Sequence, residues 1–392
     1  MKARLSFSLL PSTSVDLLVV AGEASGDEHA AALIRGLKKQ NPGLKVAALG
    51  GPRAKEAGAD LLFNLVDHAV VGIYEVFKNY SFFKGLFDLT CRWIDQHKPK
   101  TILLVDYPGF NLRLAEALQK KGLSQKGGGH IKVLQYVSPQ LWAWKPKRRF
   151  TMEKVLDGLG VIFPFEVECY KDVKLPVSFV GHPFMNDPLS NHLIKYEEEG
   201  PLLLLPGSRV QAVERILPVL LDTFAILQGS FPDLIACIPA ANPKISCVIQ
   251  KIIKSKKKYS KSISVTEDNH NLCARLALMS SGTMSLRCAL SGIPGAIVYK
   301  THPLTFLIGK LFVKVPHLGM ANLLLPHSPP YPEFIQGMAR ADLIAQGVYP
   351  FFSDLSKSRA TFKHSANYLR ENLCVPQANG VVDWLMDTGG LR

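Results

Sequence analysis

The residues best suited to hold a nucleotide lie at 201–209, Pro-Leu-Leu-Leu-Leu-Pro-Gly-Ser-Arg. Backbone N–H groups at a helix start attract anions, and a guanidinium beside them adds a fork of donors. Gly207, Ser208 and Arg209 therefore form a candidate pyrophosphate site, with Ser208 the expected cap of a helix over 213–221. A strand–turn–helix corner with a surface arginine is the plainer alternative, because glycine-serine turns are common. Ser281, Gly282 and Thr283 open another helix and offer a second set of terminal amides.

The candidate acid–base groups sit in the first half. After an apolar run at 15–20 comes Ala21-Gly-Glu-Ala-Ser-Gly-Asp27, whose spacing is not the G-x-G-x-x-G of a dinucleotide site. Glu23 and Asp27 place carboxylates where a phosphate would want cations. That loop is expected to face hydroxyls or a catalytic proton. Asp106 follows the apolar run 101–105 in Asp106-Tyr-Pro-Gly-Phe-Asn111. A carboxylate at such a strand end can take a proton from a sugar hydroxyl, or simply cap the next helix. Trp142 and Trp144 stand beside Lys145, Lys147, Arg148 and Arg149. They suit a sugar or lipid-phosphate platform, or single-stranded nucleic acid; the alternative is rings packed on a sheet.

The elements that must position these groups alternate. Strands are expected at 15–20, 45–49, 101–105, 131–135, 160–162 and 177–180, then at 202–205, 234–238, 262–265 and 296–298, with helices between. The polar stretch 186–200 reads as a linker, which predicts a first domain over 1–185 with the candidate acid–base groups and a second over 186–352 with the candidate anion sites. Closing helices are expected within 353–392, at 355–373 and 381–386. The segment 70–93 is unusually aromatic, with Phe82, Phe83 and Phe87 near its centre. It reads either as core helices or as a patch that dips into a membrane interface. A basic run at 254–258 with Lys261 reads as a solvated face or a lipid contact.

The chain has 392 residues, enough for two full cores, and a net charge of +14 that favours an anionic partner. No uninterrupted run of about 18 apolar residues occurs, and the short apolar patch near the N-terminus lacks the form of a signal peptide. The seven cysteines are scattered without C-x-x-C spacing, so neither zinc nor disulfides are expected, and the cytosol is. No recognition motif accompanies the charge, so nucleic acid is not an expected partner.

Eight stretches, taken in order, resemble the lipid-A-disaccharide synthase family. They are Val20-Ala-Gly-Glu-Ala-Ser-Gly-Asp27, Asp106-Tyr-Pro-Gly-Phe-Asn111, Tyr136-Val-Ser-Pro with Trp142-Ala-Trp144, Phe163-Pro-Phe-Glu166, Gly181-His-Pro183, Leu205-Pro-Gly-Ser-Arg209, Ser281-Gly-Thr283 and Asn322-Leu. The resemblance implies an α/β protein of GT-B architecture, two Rossmann-like doubly wound domains facing a cleft. It implies an inverting glycosyltransferase that needs no metal or other cofactor. Such an enzyme moves diacylglucosamine from UDP-diacylglucosamine to the 6-hydroxyl of diacylglucosamine 1-phosphate, at the cytoplasmic face of the inner membrane. A homodimer is what the family suggests. Asp106 falls on a family acidic position as candidate base, Glu23 on a second, Arg209 on the donor-phosphate arginine and Asn322 on an asparagine near the donor.

The chain also departs from that family. Ala212 and Arg287 stand where the family usually has glutamates, one of the kind that holds ribose hydroxyls in GT-B enzymes. The stretch after Asn322, with Pro326, His327, Pro329 and Pro330, departs as well. Two alternatives follow: another GT-B UDP-sugar transferase, or a non-catalytic membrane-surface protein on a degenerate synthase fold.

Overall fold

The computed structural model describes residues 14–68, 80–186, 194–256, 262–267, 271–303, 306–307, 309, 315–376 and 380–392. The first part of the aromatic segment, residues 187–193 of the expected linker and the end of the basic run lie outside them. The chain divides into two compact units, Met1–Asp187 with Leu373–Arg392, and Pro188–Asn372.

In the first unit, seven parallel strands form one sheet: β1 (Leu17–Ala21), β2 (Val46–Gly50), β3 (Asp60–Asn64), β4 (Thr101–Val105), β5 (Lys132–Tyr136), β6 (Gly158–Val161) and β7 (Val177–Phe179). β1, β2 and β4 are buried throughout, as strands covered by helices on both faces must be. The order is β3-β2-β1-β4-β5-β6-β7, so the winding reverses between β1 and β4. Doubly wound sheets bind ligands beyond the strand ends at that switch point. Here Ala21 pairs with Val105, so Gly22-Glu23 and Asp106 leave the sheet side by side.

The second unit repeats the plan. β8 (Lys195–Tyr196) pairs with β12 (Cys273–Ala274) as a small separate sheet. The main sheet contains β9 (Leu202–Leu205), β10 (Ala236–Pro239), β11 (Ile263–Thr266), β13 (Leu276–Met279), β14 (Gly295–Tyr299) and β15 (Glu333–Ile335), in the order β11-β10-β9-β13-β14-β15. Its switch point falls between β9 and β13, where Leu205 pairs with Met279. The turns at Gly207 and Ser281 are thereby neighbours. β3, β13 and β15 were not expected from the sequence.

The closing helices divide between the units. Most of Leu355–Leu373 belongs to the second unit, whereas Val381–Gly389 belongs to the first. Trp384 of that last helix lies where a side chain on Gly160 of β6 would crowd it. Thr101 Oγ1 donates to the Gly389 carbonyl at 2.7 Å, fastening the chain end to β4.

Helix Tyr80–His97 packs as a core helix along one side: Leu86, Trp93 and Ile94 are buried. Phe82 and Phe87 are half-buried against the same core, Phe82 beside Phe63 and His68, and Phe87 edge-on to Phe110. The described ring contact of Phe83 is with Phe82. Among the described residues no helix is long and apolar enough to cross a membrane.

Candidate active site

Asp106 and Tyr107 both adopt left-handed backbone conformations, φ +47° and +46°. Consecutive non-glycine residues in that region are strained and persist only where neighbours enforce them. The enforcement is visible. The Asp106 amide donates to the Tyr136 carbonyl at 3.0 Å, and the buried Asn111 amide donates to the Asp106 carbonyl at 2.8 Å. Asn111 also reaches the Val20 and Val105 carbonyls, tying β1 to β4. The Tyr107 ring fills the space that a side chain on Gly22 would need, so glycine is required there.

Asp106 is mostly enclosed. Burial first, and then the neighbouring Glu23 carboxylate, lift its carboxyl from 3.8 to about 6, against a hydrogen bond from the Tyr107 amide. Such a group is ionised at neutral pH yet basic enough to accept a proton. Glu23 sits at the cap position of helix Ala24–Gln40 but makes no capping bond, leaving its carboxylate to act on Asp106.

Asp27 does not join them. Its carboxylate is buried and accepts from the Gly51, Arg53 and Ala54 amides at 2.7, 3.0 and 3.2 Å. It caps helix Pro52–Glu56 from a neighbouring element, so the expectation that it faces a ligand is corrected.

Asp106 borders a cavity of about 460 Å³ lined also by Val137, Ser138, Trp144, Arg148, Phe163 and Glu166. Val137 has φ +69°, a genuine outlier for a β-branched residue, so strain concentrates on this wall too. Glu166 is 2% exposed, and burial raises its carboxyl to about 8, so at neutral pH it is mainly the neutral acid. Trp144 is 40% exposed at the cavity edge, with the Lys145 ammonium 5.2 Å from its ring centre. Trp142 is instead half-buried, edge-on to Phe165 at 5.7 Å, and is not among the lining residues. Glu166 is the cavity residue to which sequence reasoning gave no role, and Arg148 stood there only as one of four cations beside the tryptophans. The motif Phe163-Pro-Phe-Glu166 carried the signal: a lone carboxylate among apolar residues just past a strand.

In the second unit, β9 ends at Leu205 and the chain turns through Gly207, φ +110°, a value that favours glycine. Arg209, not Ser208, is the cap residue of helix Val210–Ser230, and no side chain caps it. The helix simply begins three residues earlier than periodicity suggests. Across the switch point, Gly282 is the cap residue of helix Thr283–Leu290, also without a side-chain cap. Two sets of helix-start amides thus face the same sheet edge. Ala212 and the largely buried Arg287 supply no carboxylate there.

Asn322 differs from expectation. It is fully buried, and its amide donates to the Tyr331 carbonyl and the Glu333 carboxylate, both at 2.8 Å. Its carbonyl accepts from the Tyr331 amide at 3.0 Å. Both amide hydrogens are spent internally, so Asn322 supports the loop rather than reaching a donor. A second cavity of about 460 Å³ lies at the C-terminal side of β14 and β15, lined by Arg215, Lys300, His302, Gln336 and Arg340 among others. Gln336, φ +52°, accepts from the Thr301 amide at 2.7 Å and donates to the Thr301 carbonyl at 3.2 Å, clamping the two strand ends together. Among the described residues no group of three or more His, Cys, Asp or Glu is placed to hold a metal ion.

A family model described as lipid-A-disaccharide synthetase matches residues 17–379. The chain is 33% identical over 387 residues to a lipid-A-disaccharide synthase of Geobacter sulfurreducens, covering 95% of this chain and 97% of that one. It is 34% identical over 372 residues to lipid-A-disaccharide synthase 1 of Legionella pneumophila, covering 93% and 94%. Among solved structures it is similar in fold to a putative UDP-N-acetylglucosamine 2-epimerase of Listeria monocytogenes, with TM-score 0.60, 12% identity, and 91% and 95% of the two chains covered. The glycotransferase of kitacinnamycin gives TM-score 0.57 at 12% identity, with 96% and 100% covered.

Proposed function

Because the chain belongs to the lipid-A-disaccharide synthase family, glycosyltransferases of GT-B fold, we propose that it transfers 2,3-diacylglucosamine from its UDP donor to the 6-hydroxyl of 2,3-diacylglucosamine 1-phosphate, with inversion and without a metal. The observation that carries this reading is Asp106, a strained, largely enclosed carboxylate at the switch point of the first sheet, beside a cavity of monosaccharide size. Asp106 takes the proton of the attacking hydroxyl. Inversion follows from a single displacement, in which that oxygen attacks the donor's anomeric carbon as the bond to UDP breaks.

The donor belongs to the second unit. Helix-start amides at Gly207–Arg209 and Ser281–Thr283, with the Arg209 guanidinium, supply positive potential for the departing diphosphate. Replacing Arg209 with Ala is expected to weaken UDP binding by roughly 1.5–3 kcal/mol, the usual worth of a hydrogen bond to a charged group. Titration calorimetry with UDP measures it. Unchanged affinity would leave 206–209 as a plain corner.

Both substrates are amphiphiles, so the reading brings the enzyme to the cytoplasmic face of the inner membrane. Phe83 and the exposed Trp144 are the described aromatic residues assigned to that surface, with the net charge adding attraction to anionic lipid. Phe82 and Phe87 pack on the core and do not serve this role alone. Phe83→Ser is expected to lower binding to anionic vesicles while leaving the melting temperature near that of the parent, whereas Phe87→Ser lowers the melting temperature. The opposite pattern would place Phe83 in the core. The reaction itself is tested by incubating the purified protein with UDP-diacylglucosamine and diacylglucosamine 1-phosphate and measuring UDP release with the disaccharide by mass spectrometry. No product from the folded protein would refute transfer and leave a binding protein on the same fold.

A further inference from the structure

Two adjacent arginines open helix Arg148–Val155, and the structure uses them differently. Arg149 is committed: its guanidinium grips Asp172 with bonds of 2.6 and 2.5 Å and donates to the Pro146 carbonyl at 2.8 Å. Arg148 lines the Asp106 cavity and makes no ion pair or side-chain hydrogen bond with any described residue. Neither Asp106 nor Glu166 is its ion-pair partner, although both line the same cavity. The helix-start amides are also spent, on the carbonyls of Lys145, Pro146 and Lys147. Lys145 and Lys147 are exposed and do not line the cavity. The cavity therefore has a base on one wall and a single guanidinium with all its side-chain donors available. A planar fork of that kind matches phosphate oxygens in pairs.

We propose that Arg148 is the residue that binds the anomeric phosphate of the acceptor sugar, fixing the ring so that its 6-hydroxyl meets Asp106. In a hexopyranose 1-phosphate C1, which bears the phosphate, and C5, which bears the 6-hydroxyl arm, both flank the ring oxygen, so one cation and one base lining one small cavity match that arrangement. The assignment rests on the transfer reading above and adds a source of acceptor selectivity to it.

The test compares diacylglucosamine 1-phosphate with the same lipid lacking the phosphate, both in mixed micelles, for the parent enzyme and for Arg148→Ala. In the parent the phosphorylated acceptor should have the lower KM. Arg148→Ala should raise its KM by about 10- to 100-fold, the worth of a charge-assisted hydrogen-bond pair, and so collapse the ratio between the acceptors. Arg148→Lys should restore part of the ratio as a point charge, and it decides the question should the alanine variant fail to fold. A ratio unchanged in the folded variant, or KM raised equally for both acceptors, would overturn the assignment and make Arg148 a structural residue. Absence of turnover by the parent with either acceptor would overturn the transfer reading and this assignment with it.

Discussion

Replacing Asp106 with Asn lowers turnover by about 10²- to 10⁴-fold, the usual worth of a positioned base, in a protein that remains folded. Asn is the informative substitution. Asp106 holds φ +47°, and asparagine tolerates the left-handed region at least as well as aspartate, whereas alanine would add strain of its own. The amide also keeps the volume of the carboxylate and loses only its basicity. The Asp106 backbone bonds to Tyr136 and Asn111 are untouched by the change. Steady-state rates together with a thermal melt check the result. Near-parental turnover would remove Asp106 from the chemistry and leave its strained backbone without a functional reason.

Replacing Asp27 with Ala has a large effect of another kind. Three backbone amides, of Gly51, Arg53 and Ala54, lose a charged acceptor in a buried setting. An unsatisfied buried donor costs about 1–3 kcal/mol, and partial relaxation of so short a helix brings the expected total to about 3 kcal/mol. For a unit of this size that corresponds to a fall in melting temperature of roughly 6–12 °C. UDP binding in the second unit is expected to stay at the parental level. A melting temperature within about 2 °C of the parent would mean that water replaces the carboxylate at no cost.

Much of this was legible in the sequence. Short apolar runs at 15–20, 101–105 and 202–205 are bounded by breakers, and that length and punctuation suit a strand buried on both faces. Asp106 was placed at a strand end by the same reasoning. β13 escaped because Leu-Ala-Leu-Met has no β-branched residue and would suit a helix equally well; burial on both faces decides it. β15 escaped because three residues carry no period. The last helix of the chain packs on helix Ala24–Gln40 and on β6 in the first unit, a non-local contact with no local signature. Side-chain roles were hardest to read. Asp27 and Glu23 stand four residues apart on one loop and helix start, yet one is turned inward to cap a distant helix and the other acts on Asp106. Asn322 carries the right residue type for a ligand contact, but its hydrogen bonds are consumed by Tyr331 and Glu333. Spacing alone cannot show which way a polar side chain faces.

The pH dependence of kcat/KM tests most directly whether Asp106 is the base, because that quantity titrates groups of the free enzyme. A base works when ionised, so activity is present above its pKa and lost below it. With Asp106 lifted to about 6 by burial and by Glu23, kcat/KM should level off above neutral pH and fall about tenfold per pH unit below about 6. In Asp106→Asn that acid limb should disappear from the residual rate. A parental profile that stays flat to pH 5, or a limb near 6 that survives in Asp106→Asn, would contradict the assignment.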